Sequence, residues 1–222
     1  MAKLYRLYNI AWYLRRIHHA GLVHCDLHGG NIVMHNKSLG IDALICDLGL
    51  SQLVNVHKSD STIRGVLPFI APEVFHTCKF TQKSDVYSFG IIMYSIATGE
   101  PPFRDRQFDA SLVRDIMDGL RPSMPDSAPE EYKKLAERCC DADPDKRPNA
   151  DSLWGDICKL NKDVAKDDYR TWDAVYHIDV KPLSRLEKES KYSSMLLPTG
   201  DLPNPRNTYG SVAGMKTAIS YK

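Results

Sequence analysis

Four apolar residues and one histidine recur at helical spacing along the first segment of the chain, at Leu4, Leu7, Ala11, Leu14 and His18. Because residues three or four apart share one helix face, this spacing predicts a helix over residues 3–20 with one buried stripe. Gly21 is a suitable C-terminal cap for it. Three brief apolar runs follow, at residues 22–24, 32–34 and 44–46. They predict short strands joined by tight turns.

Residues 47–82 show little regular periodicity, which predicts a long loop, and long ordered loops are usually functional. The segment 84–98 is apolar on nearly every face, and Gly99 stops it, so the pattern predicts a helix buried on all sides. Further amphipathic helices are predicted around residues 112–117, 132–139 and 153–160. Helices therefore dominate the second half of the chain.

Beyond about residue 165 the apolar pattern ends. The segment 166–222 is rich in Ser, Lys and Asp and is interrupted by Pro182, Pro198, Pro203 and Pro205. Such a composition cannot bury enough apolar surface to offset the entropy of ordering the chain. We therefore predict a mostly disordered C-terminal tail.

Composition removes several classes of protein. The 222 residues carry 29 Lys and Arg against 28 Asp and Glu, so the net charge of +1 favours no nucleic-acid partner. The longest run without a charged residue, 86–99, is shorter than the roughly 20 residues of a membrane-spanning helix, so no membrane span is predicted. The six cysteines contain no Cys-x-x-Cys pair, which favours reduced thiols and a cytoplasmic or nuclear location.

The segment from His24 to Asn31 carries candidate chemistry, and two interpretations compete. His24 and His28 stand four residues apart with an acid between them, as in zinc hydrolases, but that geometry requires a helix, and Gly29-Gly30 favours a loop. The other interpretation is a phosphotransferase loop, in which Asp26 handles a hydroxyl proton and Asn31 holds magnesium.

The order of the following motifs favours the phosphotransferase interpretation. Asp47-Leu48-Gly49 follows the third predicted strand, and Ala71-Pro72-Glu73 closes the long loop. Asp85-Val86-Tyr87-Ser88-Phe89-Gly90 opens the buried helix, and Cys140-x-x-Asp143-Pro144-x-x-Arg147-Pro148 comes near the end of the patterned region. One such motif occurs by chance, whereas this ordered series is specific.

With these motifs, residues 3–162 resemble the large helical lobe of a eukaryotic protein kinase, and the loops are most similar to the tyrosine-kinase-like group. The resemblance implies ATP and Mg²⁺ as cofactors and a protein as substrate. It implies that Asp26 is the catalytic base and that Asn31 and Asp47 are magnesium ligands. It also implies a buried ion pair between Glu73 and Arg147, and an anchor for the loop amides at Asp85. His24 and Leu48, which precedes Gly49, would form an apolar stack.

Three positions depart from the family pattern. Cys25 replaces the arginine that pairs with a phosphorylated activation loop, so such phosphorylation should be weakly coupled to activity. His28 is at the catalytic position where Ser/Thr kinases place a lysine that steadies the transferred phosphoryl group. Val66 replaces a threonine that is usual in Ser/Thr kinases. Specificity is therefore open, with Ser/Thr favoured over Tyr by the group resemblance.

The expected fold class is mainly α, a kinase-like large helical lobe with a few short strands. Residues 1–165 form a partial kinase domain in this interpretation, and 166–222 form the tail. Only residues 1–23 precede the catalytic loop, so we expect the ATP-binding small lobe to be absent from this chain. The expected function is transfer of the γ-phosphate of ATP to protein hydroxyls when the kinase is complete. The alternative is a catalytically silent, pseudokinase-like scaffold that binds proteins.

Overall fold

A computed structural model describes residues 3–37, 40–54, 62–163, 195–197 and 202–207. Within these ranges the helices are α1 (Lys3–His19), α2 (Pro72–Thr77), α3 (Gln82–Thr98), α4 (Ala110–Met117), α5 (Glu130–Cys139) and α6 (Ala150–Asp163). The strands are β1 (Leu22–Val23), β2 (Ile32–Lys37), β3 (Gly40–Ile45), β4 (Gln52–Leu53), β5 (Ile63–Gly65) and β6 (Met195–Leu197). The architecture is mainly helical with short two-stranded sheets, which confirms the coarse fold prediction.

Helix α3 forms the centre of the core. Every residue from Ser84 to Ala97 is buried, so all faces of the helix pack against protein, as the sequence predicted. The helix begins at a capping box in which the Thr81 hydroxyl accepts the Ser84 amide, and it ends at Gly99 with φ of 74°. Around it pack α1, α5 and the 3₁₀ turn Leu67–Phe69.

Helix α1 buries the predicted stripe on one face and packs it against α6 and β3. The buried members include Leu4, Leu7, Ala11, Leu14 and His18, which confirms the predicted helix and its orientation. At the start of the helix, the Lys3 ammonium donates to the carbonyl oxygen of Ala97 at 2.8 Å. This hydrogen bond joins the beginning of α1 to the end of α3.

Two antiparallel ladders frame the loop that carries the candidate chemistry. Strand β2 pairs with β3, with Ile32 opposite Ile45, and β1 pairs with β4, with Val23 opposite Gln52. Strand β2 leaves the loop, whereas β1 enters it, so residues 24–31 are held at both ends. The β2 and β3 strands are longer than the apolar runs predicted, because main-chain pairing continues through polar residues.

The predicted loop over 47–82 is wrong in part, because it contains β4, β5 and α2. These elements have two, three and six residues, too few to show a hydrophobic period. Pro72 begins α2, a position where its missing amide costs nothing. The partner of β5 is β6, which lies far away in the sequence and gives no local signal.

Most of the tail predicted from residue 166 lies outside the described residues. Two segments of it are described, β6 and residues 202–207, and both contact the helical core. Among the described helices, none has the length and apolar character to cross a membrane.

Helices α3 and α5 approach closely at Gly90. A Cβ atom there would overlap the Sγ atom of Cys140 and would lie 2.8 Å from the Cβ atom of Cys139. Both cysteines are fully buried, so neither has room to move. Gly90 therefore sets the distance between the two helices.

We predict that Gly90→Ala lowers the free energy of unfolding by about 1–3 kcal/mol, because the methyl group overpacks this contact. Gly155→Ala in α6 is the matched control, since its added Cβ atom meets nothing within 4 Å. That change should raise stability by up to about 1 kcal/mol through helix propensity alone. Urea midpoints of the two variants test this, and equal shifts would show that Gly90 has no special packing role.

Burial of ionisable groups between α3 and α5 makes the core sensitive to alkali. Desolvation raises the pKa of the Cys140 thiol from 9.0 to about 12, and it raises the pKa of Tyr87 from 10.0 to about 12. Desolvation also raises the pKa of the Tyr132 hydroxyl, which donates to the carbonyl oxygen of Met93 at 2.7 Å. The folded state therefore keeps these groups neutral at a pH where the unfolded chain ionises them.

We predict that these groups leave the free energy of unfolding unchanged below about pH 9. Above it, they lower the free energy of unfolding as the pH rises towards about 12. Urea unfolding at several alkaline pH values measures this slope. Cys140→Ala should reduce the slope, because it removes one group that ionises only in the unfolded chain. Cys158→Ala, at a partly exposed thiol, should change it less. A Cys140→Ala slope identical to that of the parent chain would contradict the assignment.

Candidate active site

Residues 24–31 form a loop rather than a helix. Cys25 adopts a left-handed backbone with φ of 69°, and a single 3₁₀ turn covers Gly29–Asn31. His24 is fully buried, with its Nδ1 atom accepting the Asp26 amide at 3.3 Å and its Nε2 atom 3.2 Å from the carbonyl oxygen of Cys46. The zinc interpretation required His24 and His28 on one helix face, and the loop does not provide that arrangement.

Asp26 and Asn31 are brought together by the tight turn between them. The Asn31 amide nitrogen donates to the carbonyl oxygen of Asp26 at 2.8 Å and lies 3.5 Å from the Asp26 Oδ2 atom. Each of the two residues is about nine-tenths buried. Since the amide nitrogen of Asn31 is engaged within the loop, the amide oxygen is the atom that can bind a cation.

His28 lies beside Asp26 and has a defined tautomer. Its Nδ1 atom accepts the Gly30 amide at 3.1 Å, so the neutral ring carries its proton on Nε2. That Nε2 atom is 3.7 Å from the Asp26 Oδ2 atom, longer than a hydrogen bond but close enough for electrostatic attraction. The His28 ring also lies against Phe69, with 6.0 Å between ring centroids.

Asp85 holds the start of this loop. Its carboxylate accepts the amides of His24 at 2.8 Å and Cys25 at 3.1 Å, and the His18 Nε2 atom lies 2.9 Å from it. Asp85 is buried in the first turn of α3, while the N-cap of that helix is Thr81. The carboxylate therefore acts as an anchor and not as the helix cap.

Asp47, Leu48 and Gly49 follow β3 on an exposed surface. Asp47 has φ of 59°, and its Oδ1 atom accepts the Gly49 amide at 3.0 Å. Leu48 leaves 49% of its surface exposed, whereas His24 is fully buried. The apolar stack that the resemblance implied for these two residues stays a prediction.

Glu73 and Arg147 meet as an ion pair with two parallel hydrogen bonds, each 2.7 Å long. The Arg147 side chain is fully buried, and the Glu73 side chain is 17% exposed. Arg147 also donates to the carbonyl oxygens of Asp141 at 2.8 Å and Lys83 at 3.1 Å. Its guanidinium lies over the Tyr87 ring, 5.2 Å from the centroid. This pair ties α2 to the beginning of α3 and to the loop before α6.

Sequence reasoning missed three residues next to the site. His18 was counted as one member of an apolar stripe, although its ring bonds to Asp85. Gly65 has φ of 152°, and a Cβ atom there would lie 3.5 Å from the Asp26 Oδ1 atom, which no local pattern indicates. The Ser88 hydroxyl lies 2.7 Å from the carbonyl oxygen of Phe69 and joins α3 to the segment after β5.

Comparison with known proteins places this geometry in a family. The protein kinase domain family matches residues 5–156, more than half of the chain. A probable serine/threonine-protein kinase of Dictyostelium discoideum is 32% identical over 152 residues, which make up 68% of this chain and 11% of that protein. A second protein of that description from the same organism is 29% identical over 170 residues, 72% of this chain and 10% of that protein.

The dual specificity protein kinase shkA of Dictyostelium discoideum is 31% identical over 140 residues, 61% of this chain and 26% of that protein. The chain thus spans between about a tenth and a quarter of the length of these relatives. The chain belongs to the protein kinase domain family.

We predict that Glu73→Gln and Arg147→Met each lower the free energy of unfolding by about 3–5 kcal/mol, because each leaves one buried charge unpaired. The double variant should lose less than the sum of the two single changes. Urea unfolding of the four proteins in the cycle measures the coupling.

Glu100→Gln serves as the control for this cycle, because it breaks the exposed ion pair with Arg104, 2.9 Å long. Its cost should be below about 1 kcal/mol. Strictly additive effects of the Glu73 and Arg147 changes would contradict the proposed coupling.

Proposed function

We propose that this chain carries the catalytic loop of a protein kinase that transfers the γ-phosphate of ATP to a protein hydroxyl. The observation that carries the proposal is the joining of Asp26 and Asn31 by a 2.8 Å hydrogen bond, on a loop whose amides are held by Asp85. These bonds fix the main chain of the loop, and the Asp26 carboxylate lies 3.5 Å from the Asn31 amide nitrogen. A carboxylate on a loop held in this way can accept or orient the proton of an incoming hydroxyl group. Asp26 is accordingly the proposed catalytic base.

The oxygen donors near Asp26 suit magnesium. The Asn31 amide oxygen and the Asp47 carboxylate are hard ligands, and Mg²⁺ usually binds one or two such groups together with phosphate oxygens. When bound, the ion would neutralise charge on the phosphates. Of the two proposed ligands, Asp47 is exposed to solvent and Asn31 is buried in the loop.

Two exposed apolar side chains are close in sequence to these donors and support a nucleotide as the ligand. Val33, two residues after Asn31, is 48% exposed, and Leu48, next to Asp47, is 49% exposed. Large apolar side chains at such exposure are suited to cover the flat face of a base. ATP is therefore the proposed phosphate donor.

Within this function, we assign the chain to the tyrosine-kinase-like group and favour Ser/Thr hydroxyls as acceptors. Two of the relatives are described as serine/threonine kinases, and one is described as a dual specificity kinase. His28, with its Nε2 atom 3.7 Å from the Asp26 Oδ2 atom, is the proposed partner of the transferred group at the position of the usual lysine. The six cysteines, all within the described residues, form no disulfide, which supports a reducing cytoplasmic or nuclear location.

The test joins the chain to the ATP-binding lobe of a related kinase and measures transfer from radiolabelled ATP to a protein substrate. We predict that Asp26→Asn lowers the rate by about 10²–10⁴-fold, because it removes the proton acceptor. Asp126→Asn, at an exposed aspartate, is the matched control and should leave the rate unchanged. A chimera that binds MgATP but loses no rate with Asp26→Asn would show that the proposed base is wrong.

The 222 residues alone provide the second arm of this test. We expect MgATP to bind no tighter than about 1 mM by calorimetry, because the proposed magnesium ligands hold the ion only together with phosphate oxygens, and the described residues add only the exposed Val33 and Leu48 side chains. Transfer should not exceed that of the Asp26→Asn chain. Micromolar binding, or transfer abolished by Asp26→Asn, would contradict this expectation. A folded chimera without any transfer would instead favour the alternative function, a protein-binding scaffold.

A further inference from the structure

A segment of the C-terminal tail is paired with the strand next to Asp26. Strand β6 lies antiparallel to β5, with Met195 opposite Gly65, Leu196 opposite Arg64 and Leu197 opposite Ile63. Leu197 is 8% exposed and packs with the core, and Ile63 is fully buried. The tail therefore contributes both main-chain pairing and an apolar anchor.

The β5 strand ends beside the proposed catalytic base. Gly65 borders Asp26, because a Cβ atom built on Gly65 would be in van der Waals contact with the Asp26 Oδ1 atom, at 3.5 Å. Met195 is the tail residue opposite Gly65. Since paired strands lie about 5 Å apart, the tail backbone lies one strand away from the residue that borders Asp26.

Residues 202–207 continue along the surface and are bonded at three places. The carbonyl oxygen of Pro203 lies 2.9 Å from the His76 Nε2 atom, and the Arg206 amide donates at 2.8 Å to the carbonyl oxygen of Met117, the last residue of α4. The latter bond satisfies a carbonyl that the helix leaves unpaired.

The side chain of Asn207 makes the third attachment. Its oxygen accepts the Ala142 amide at 2.8 Å, and its nitrogen donates to an Asp141 carboxylate oxygen at 2.8 Å. Asp141 also supplies the carbonyl oxygen that accepts from Arg147. The tail is thus attached to the same loop that the Glu73–Arg147 pair holds in place.

We propose that strand β6, residues 195–197, acts as an intramolecular ligand of the acceptor side of the site, with residues 202–207 as its second attachment. Strand β6 occupies the edge of β5 on which an extended protein segment would add as a strand and present its hydroxyl to Asp26. Recognition of this kind uses main-chain hydrogen bonds for affinity and side-chain pockets for selectivity. The tail and an extended protein substrate therefore compete for β5. The inference rests on the proposed function only in taking Asp26 as the group that faces the acceptor.

The test uses the full chain and a fluorescent peptide with the sequence of residues 195–207. In the parent chain the tethered tail competes at high effective concentration, so the peptide should bind weakly. Leu197→Asp places a charge at the apolar anchor and should strengthen peptide binding at least about tenfold by releasing the tail. A peptide that carries the same Leu197→Asp change is the control probe and should not bind.

Asn207→Ala is a milder variant that leaves the apolar core intact, and it should strengthen peptide binding about fivefold by removing two hydrogen bonds. Asn204→Ala is the matched control on the same exposed tail segment and should have no effect. In parallel, amide hydrogen exchange at Ile63–Gly65 should accelerate in Leu197→Asp and Asn207→Ala but not in Asn204→Ala. Equal peptide affinity or equal exchange in the parent, Asn207→Ala and Asn204→Ala chains would overturn the proposal, as would failure of the peptide to bind any opened chain.

These measurements need no phosphoryl transfer, so they separate the two proposals. Peptide competition in a protein whose chimera is inactive would support the tail inference and reject the proposed reaction. The opposite result is an active chimera in which release of the tail changes neither the amide hydrogen exchange of β5 nor the peptide affinity. That result would support the proposed reaction and reject the tail inference.

Discussion

The buried carboxylate of Asp85 is the interaction on which the site depends. A charge in the core is costly unless several donors compensate it, and here the donors are the amides of His24 and Cys25 together with the His18 ring. Because α3 is buried on every face, this carboxylate is fixed relative to the whole core. This carboxylate holds the start of the loop that carries Asp26, and the left-handed backbone at Cys25 turns the chain directly before Asp26.

The elements that the sequence predicts well are those whose burial is periodic and local. Helix α1 has one apolar stripe, and α3 is apolar all round between clear start and stop residues, so periodicity finds both. Strands β5 and β6 are the opposite case, because three residues pair with three others more than a hundred positions away. The local sequence of neither strand indicates its pairing partner. Composition alone therefore predicts a disordered tail.

The sequence motifs indicated Asp26, Asn31, Asp47, Asp85 and the Glu73–Arg147 pair. The structure places Asp26 in contact with Asn31, and Glu73 in contact with Arg147. The spacing could not indicate the exposure of Leu48, since a side chain's surroundings depend on what the rest of the molecule packs against it. It also missed His18 and Gly65, whose roles arise only when distant segments meet.

The two proposed sides of the site differ in how far their residues are buried and held by other residues of the chain. On the proposed acceptor side, Asp26 and Asn31 are buried, and Glu73 in the first turn of α2 is held by the fully buried Arg147. On the proposed nucleotide side, Asp47 is exposed, and a hydrogen bond to the Gly49 amide shapes its turn. A polypeptide that docks on the acceptor side meets a surface that needs little further ordering, which lowers the entropic cost of binding. The tail can therefore hold β5 with a three-residue strand, because the surface it meets is already formed.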